Sequence, residues 1–178
     1  LGSPENLAEF FFKNLGDMKV VLKWDDSLSD VTYRIQAALD PFFTDLVIVR
    51  TGLSEKGVVV QGLKSGIYYW RVSSITAEGL EGDFSDYSVF KVTIDQTPPD
   101  IALDDLLLLK VSDKVNAQIS GQTEPDASVT INGTPVILDK TGRFKYVLSQ
   151  ISSDTEVTVV AVDRVGNKNV IKKAIQNR

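Results

Sequence analysis

The sequence predicts an all-β chain of two β-sandwiches in tandem, and three observations carry that reading. Apolar and polar residues alternate along run after run, as in strands that turn one face to a core. Turn-forming clusters interrupt these runs at intervals of about ten residues, the spacing of a sandwich. A break at Thr97-Pro98-Pro99-Asp100 separates two such series, each with its own turns. Proline fixes φ and lacks an amide donor, so one sheet stops there before the next begins. The domains that follow are 1–97 and 98–178. At 178 residues and 43% hydrophobic content, the chain suits two domains of about 100 residues, each with a core. No flexible Gly/Ser spacer lies at the break, which reads as a short, semi-rigid joint.

Taken in order, Pro4 to Leu15 carries either helical periodicity or a buried first strand containing three consecutive Phe. Val20, Leu22 and Trp24 share one parity of the next strand. Val31, Tyr33, Ile35 and Ala37 share the inward parity of another, and the polar cluster Asp26 to Asp30 between them predicts a hairpin. Asp40-Pro41 breaks the pattern before a strand at Val47 to Arg50. Val58 to Gln61 follows, bounded by Gly57 and Gly62, and the turn Leu63 to Gly66 leads into the strongest strand. There Tyr68, Trp70 and Val72 form one face and Tyr69, Arg71 and Ser73 the other. An acidic, Gly-punctuated loop, Glu78 to Asp86, leads to a closing strand with Phe90, Val92 and Ile94 inward.

In the second domain, Val129 to Ile131 and Pro135 to Leu138 flank Asn132-Gly133, a dipeptide suited to the two positive-φ positions of a type I′ hairpin. Lys140-Thr141-Gly142 turns the chain into Phe144, Tyr146 and Leu148. Val157, Val159 and Ala161 form the next inward face, Asp163 to Asn167 a polar turn, and Val170 to Ile175 the last strand.

Composition narrows the chemistry. There is no histidine and no cysteine, so the usual general base near neutral pH, imidazole ligands, thiolate metal sites and disulfides are all missing. The formal charge of −5 resides in the first domain, with 14 acids against 9 bases up to Thr97 and 10 against 10 after it. No basic face is expected for nucleic acid or anionic lipid. No stretch approaches the ~20 apolar residues of a membrane span. The start at Leu1, without a basic-then-apolar leader, reads as a processed or excised sequence.

Trp24, Tyr33, Leu63, the run Tyr68-x-Trp70-x-Val72, Gly79 and Ser85 make the first domain resemble a fibronectin type III domain. Leu63 and Tyr68 stand where that family has its tyrosine corner, with a spacing one residue shorter than usual. The second domain resembles a bacterial immunoglobulin-like domain. Its resemblance lies in Gly121, Glu124-Pro125-Asp126-Ala127, Val129-x-Ile131-Asn132-Gly133, Gly142-x-Phe144, Val159 to Asp163 and Gly166-Asn167. The combination, with Tyr68 to Val72 followed by Glu78 to Gly82, is similar to the C-terminal part of bacterial FecR-domain proteins, some with LysM modules. This resemblance implies an exported chain in the periplasm or on the outer surface of a bacterium, without catalysis.

Each candidate site has a bland competitor. Tyr69 and Arg71, outward beside Trp70, are the candidate ligand surface, whereas the parity of Trp70 and Trp24 puts both in the core. Glu78, Glu81, Asp83 and Asp86 lack the spacing of a calcium loop and read as solvated. Asp95, Asp100, Glu124 and Asp163, at strand ends expected to meet between the domains, are the candidate calcium ligands of the joint, a feature the resemblance to immunoglobulin-like arrays allows. No other cofactor is implied. The adjacent pairs Asp25-Asp26 and Asp104-Asp105 point apart and read as turn caps rather than a glycosidase acid and base. Asn132-Gly133-Thr134 matches a glycosylation sequon, yet it already explains itself as a hairpin turn. The reading is a non-catalytic spacer, presentation and protein-interaction module of the envelope. Its alternative is a carbohydrate-binding segment of a larger glycan-active enzyme, with a protein or cell-wall glycan as partner.

Overall fold

The computed structural model describes residues 1–111, 114–152 and 155–175. The chain is all-β and divides into two compact units, Leu1–Asp95 and Gln96–Arg178. Unit one holds strands β1 (Ala8–Phe12), β2 (Lys19–Lys23), β3 (Val31–Ala38), β4 (Leu46–Leu53), β5 (Gly57–Gln61), β6 (Gly66–Thr76) and β7 (Ser88–Ile94). One sheet runs β1-β7-β6-β3-β4 and the other is β2-β5. All pairings are antiparallel except β1 with β7, which lie parallel in register Phe10 to Val92. The triple Phe is therefore strand, as one of the two readings had it, with Phe10 and Phe12 packed against the core.

The hairpin expected between the second and third runs is corrected by the structure. β2 pairs with β5, while β3 pairs with β4 and β6. The cluster Asp26 to Asp30 carries the chain from one sheet to the other. Parity shows that both strands face a core but not that they face it from opposite sides.

Between the two sheets lie Val20, Leu22, Trp24, Tyr33, Ile35, Trp70 and Phe90, all buried. Trp24 meets Tyr33 edge to face with centroids 5.3 Å apart, and Tyr68 stacks on Phe90 at 5.3 Å. The indole N–H groups of Trp24 and Trp70 have no hydrogen-bond partner. Leaving one such donor unpaired costs about 1–3 kcal/mol, whereas burying an indole of roughly 200 Å² contributes about 5 kcal/mol at ~25 cal/mol/Å². Burial wins, which is why both rings sit inside. The tyrosine corner closes despite its short spacing, because the Tyr68 hydroxyl donates to the Lys64 carbonyl at 2.8 Å.

Unit two holds β8 (Ala102–Leu103), β9 (Leu107–Val111), β10 (Lys114–Gln122), β11 (Ser128–Ile131), β12 (Thr134–Val136), β13 (Arg143–Leu148), β14 (Thr155–Val162) and β15 (Lys168–Ile175). β10 pairs with β13, β8 and β9 in one sheet, and the other runs β12-β11-β14-β15. Ile119, Ile131, Phe144, Val157, Val159 and Ile175 fill the space between. The β11–β12 hairpin turns at Asn132 (φ 49°) and Gly133 (φ 79°), the two positive-φ positions its sequence implies. No helix among the described residues is long and apolar enough to cross a membrane.

Candidate functional site

The candidate surface is the outer face of the larger sheet of unit one. The alternation along β6 puts Tyr69 and Arg71 on that face and Trp70, fully buried, beneath it. Antiparallel pairing sets Arg71 opposite Gln36 on β3. Arg71 Nε and Nη2 both donate to Gln36 Oε1, at 3.0 and 2.8 Å. The guanidinium lies between two phenyl rings, 3.9 Å from the Phe43 centroid and 4.1 Å from the Phe84 centroid. The stack continues sideways, with Phe43 tilted against Tyr87 at 6.4 Å and Tyr87 edge-on to Tyr69 at 5.4 Å. Tyr69 and Arg71 thus share one ladder, and Arg71 is enclosed by it.

Two loops build this ladder. In the β3–β4 loop, the Asp40 carboxylate accepts backbone N–H groups of Phe42, Thr44 and Asp45, the last at 2.7 Å. The Asp45 N–H is the largest influence holding the Asp40 carboxyl below its ordinary value; partial burial pushes it up, and Thr44 and Phe42 help to pull it down. The knot holds Phe43 at φ 59°, left-handed backbone that a bulky side chain rarely adopts. Its ring is thereby laid over the sheet, where it is buried, while Phe42 points away and is 83% exposed.

The β6–β7 loop supplies Phe84. Beyond Trp70 the edge of β6 loses β7 as a partner and takes the loop instead: Ser85 N–H donates to the Val72 carbonyl at 2.8 Å and Gly82 N–H to the Ser74 carbonyl at 2.9 Å. The Val72 N–H donates to Ser85 Oγ. Glu81 is fixed by Ser73 Oγ at 2.6 Å and by Arg34 at 3.1 Å. The Ser73 hydroxyl is the foremost cause of its lowered pKa; burial opposes it and Arg34 adds to it. One acid of this loop therefore docks the loop on the sheet, and the other acids stay exposed.

Sequence reasoning put Tyr69 and Arg71 on the outer face, where they lie, but did not name Gln36, Phe43, Phe84 and Tyr87, which pack beside them. The available signal was an outward arginine with aromatic residues stranded in two polar loops on either side of it in sequence. Parity says which face a residue takes, not which loop folds over that face.

The acids assigned to the joint are placed as follows. In unit one, Asp95 N–H donates to the Phe12 carbonyl at 2.9 Å, extending the β1–β7 pairing. In unit two, the Asp100 carbonyl accepts Thr123 Oγ1 at 2.6 Å, and the Glu124 carbonyl accepts Ala127 N–H at 3.1 Å. Asp163 Oδ1 accepts N–H groups of Val165 and Asn167, and Oδ2 accepts Asn167 Nδ2 at 2.9 Å. Burial pushes the Asp163 carboxyl up, but the bonds from Asn167, Val165 and Gly166 together outweigh it and hold the group below its ordinary value. That carboxylate is committed to its own turn. Among the described residues, no group of three or more His, Cys, Asp and Glu side chains is placed to hold a metal ion.

No family model matches the chain, and no curated protein matches it in sequence. Solved structures of similar shape include the fibronectin(III)-like modules of Clostridium thermocellum CbhA, at 12% identity and a TM-score of 0.48, covering 99% of this chain and 92% of that one. An α-L-rhamnosidase from Dictyoglumus thermophilum is similar at 10% identity and a TM-score of 0.43, over 97% of this chain and 28% of that one. The Bacteroides ovatus mixed-linkage glucan utilization locus protein SGBP-B, solved with a mixed-linkage heptasaccharide, is similar at 13% identity and a TM-score of 0.33, over 98% of this chain and 44% of that one.

Proposed function

We propose that this chain is a non-catalytic module, exported by a bacterium, that spaces or presents neighbouring domains and makes protein contacts in the cell envelope. The observation that carries the reading is the use made of Arg71. The guanidinium of the candidate surface is held between Phe43 and Phe84 and bonded to Gln36, a placement that stiffens the outer face of the sheet. One acid of each adjacent pair is engaged elsewhere: Asp26 accepts the Leu28 N–H at 2.8 Å, and Asp104 pairs with Arg143 at 2.7 Å. With neither His nor Cys in the chain, the commonest general base and the thiol nucleophile are missing. The test has two arms. Fractionation of cells expressing the native gene should recover the protein with the envelope, and a panel of glycosidase and esterase substrates should show no turnover; cytosolic recovery or turnover defeats the proposal.

A second reading, glycan binding, draws on one observation: Tyr87, packed in the ladder against Phe43 and Tyr69, is 49% exposed, and aromatic faces stack on sugar rings. Both tryptophans are in the core, so the stacking ring would be Tyr87. A glycan array probed with the wild type and Tyr87→Ala decides it; retention that Tyr87→Ala abolishes would establish this reading over the first.

A further inference from the structure

Unit one has two sheet edges that face the same groove. β4 ends the larger sheet and pairs only with β3, and β5 ends the smaller one and pairs only with β2. Alternate N–H and C=O groups along the other side of each strand thus have no strand partner. The groove between them, about 590 Å³, is lined from both edges. Proteins usually blunt such edges with lysine, proline or a covering segment. β2 is partly covered in that way, since Lys23 exchanges backbone hydrogen bonds with Ser3. β4 contains neither lysine nor proline, its one charge being Arg50, whose Nη1 donates to the Val49 carbonyl at 3.1 Å, and β5, Gly-Val-Val-Val-Gln, carries no charge at all. Val47 at 42%, Val49 at 38% and Val59 at 53% exposure leave aliphatic surface along both edges.

Charge selects the occupant. Arg50 and Lys64 line the groove together with Gln61, and no carboxylate does, although unit one as a whole is strongly acidic. A second copy docking by the same edge would bring the same cations to a groove without an acid, which like-charge repulsion opposes. We propose that the seam between β4 and β5 is the docking site for an extended acidic segment of a partner protein. The segment adds to β4 as a further strand, its backbone meeting the unpaired edge, its alternate apolar side chains covering the valines and its carboxylates reaching Arg50 and Lys64. This inference rests on the reading of the chain as a protein-interaction module.

The probe is a synthetic peptide as long as β4, eight residues, alternating Glu with Val, titrated into the isotope-labelled full chain and followed by amide NMR shifts. Shifts confined to β4, β5 and the turn at Lys64 are expected. A Lys/Val peptide of the same pattern should produce none, and an N-methylated Glu/Val peptide, which cannot pair its backbone, should bind far more weakly. Arg50→Glu with Lys64→Glu, both on the surface, should weaken the Glu/Val peptide roughly tenfold or more through two lost charge pairs and two new repulsions. The proposal is overturned by no shifts, by shifts centred elsewhere, by equal binding of the Lys/Val peptide, or by a concentration-dependent dimer through β4. Those results would leave the envelope and turnover assays untouched, so the seam and the proposed function fail separately.

Discussion

Replacing Gly142 by alanine should unfold unit two well before the equivalent change at Gly133, although both residues sit at φ 79°. Around Gly133 an added Cβ meets nothing within 4 Å, whereas at Gly142 it would lie 1.9 Å from the Thr123 carbonyl oxygen and 3.1 Å from Pro125 N. The left-handed backbone costs each variant about 1–2 kcal/mol. At Gly142 the backbone must also move, which loses the 3.0 Å bond from Thr123 N–H to the Gly142 carbonyl. That adds roughly 1–3 kcal/mol for a buried bond broken without replacement. The sum is about 2–5 kcal/mol, against a total stability of about 5–15 kcal/mol for a domain. For a domain of this size each kcal/mol lowers the melting point by roughly 4–8 °C. Calorimetry of the full chain should show the unit-two transition falling by about 8 °C or more in Gly142→Ala, and by less, within about 4–16 °C, in Gly133→Ala. Equal shifts in the two variants would refute the steric argument.

Two further outcomes follow from side chains. Tyr68→Phe removes the corner bond to Lys64 and should destabilise unit one by about 1 kcal/mol in urea unfolding, with the fold retained by amide NMR. Asp163 has a folded pKa below its ordinary 3.8, so its contribution is fully present above about pH 4 and lost as pH falls toward the lowered value. The acid limb of a pH–stability curve for unit two should flatten in Asp163→Asn; an unchanged limb would remove the turn from the explanation.

Strand faces were legible in the sequence where bulky residues alternate, as at Tyr68, Trp70 and Val72, because a sheet with one buried face imposes that period. Asn132-Gly133 was legible because few other dipeptides tolerate two successive positive φ angles. Strand β10 was not: its inward row is Val115, Ala117, Ile119 and Gly121, and the small Ala117 and Gly121 leave only two bulky apolar residues to mark the alternation. Gly121 is small for a reason visible only in space, since a Cβ there would lie 2.5 Å from the Ala102 carbonyl oxygen and 2.8 Å from the Phe144 ring. At the candidate site, Tyr69 and Arg71 could be placed on the outer face, but Phe43 and Phe84 reach it through loops whose course depends on the caps at Asp40 and Ser85. Such long-range closure leaves no periodic trace in the chain.

The claim that Arg71 is a structural member of the outer face is tested most directly by equilibrium urea unfolding of Arg71→Ala. Two lost cation–π contacts contribute about 0.5–1 kcal/mol each, and the buried Gln36 oxygen left without its charged donor adds about 1–3 kcal/mol. A loss of roughly 2–5 kcal/mol in the unit-one transition, with unit two unchanged, is the expected result. An Arg71→Ala variant as stable as the wild type would contradict it and return the guanidinium to ligand recognition.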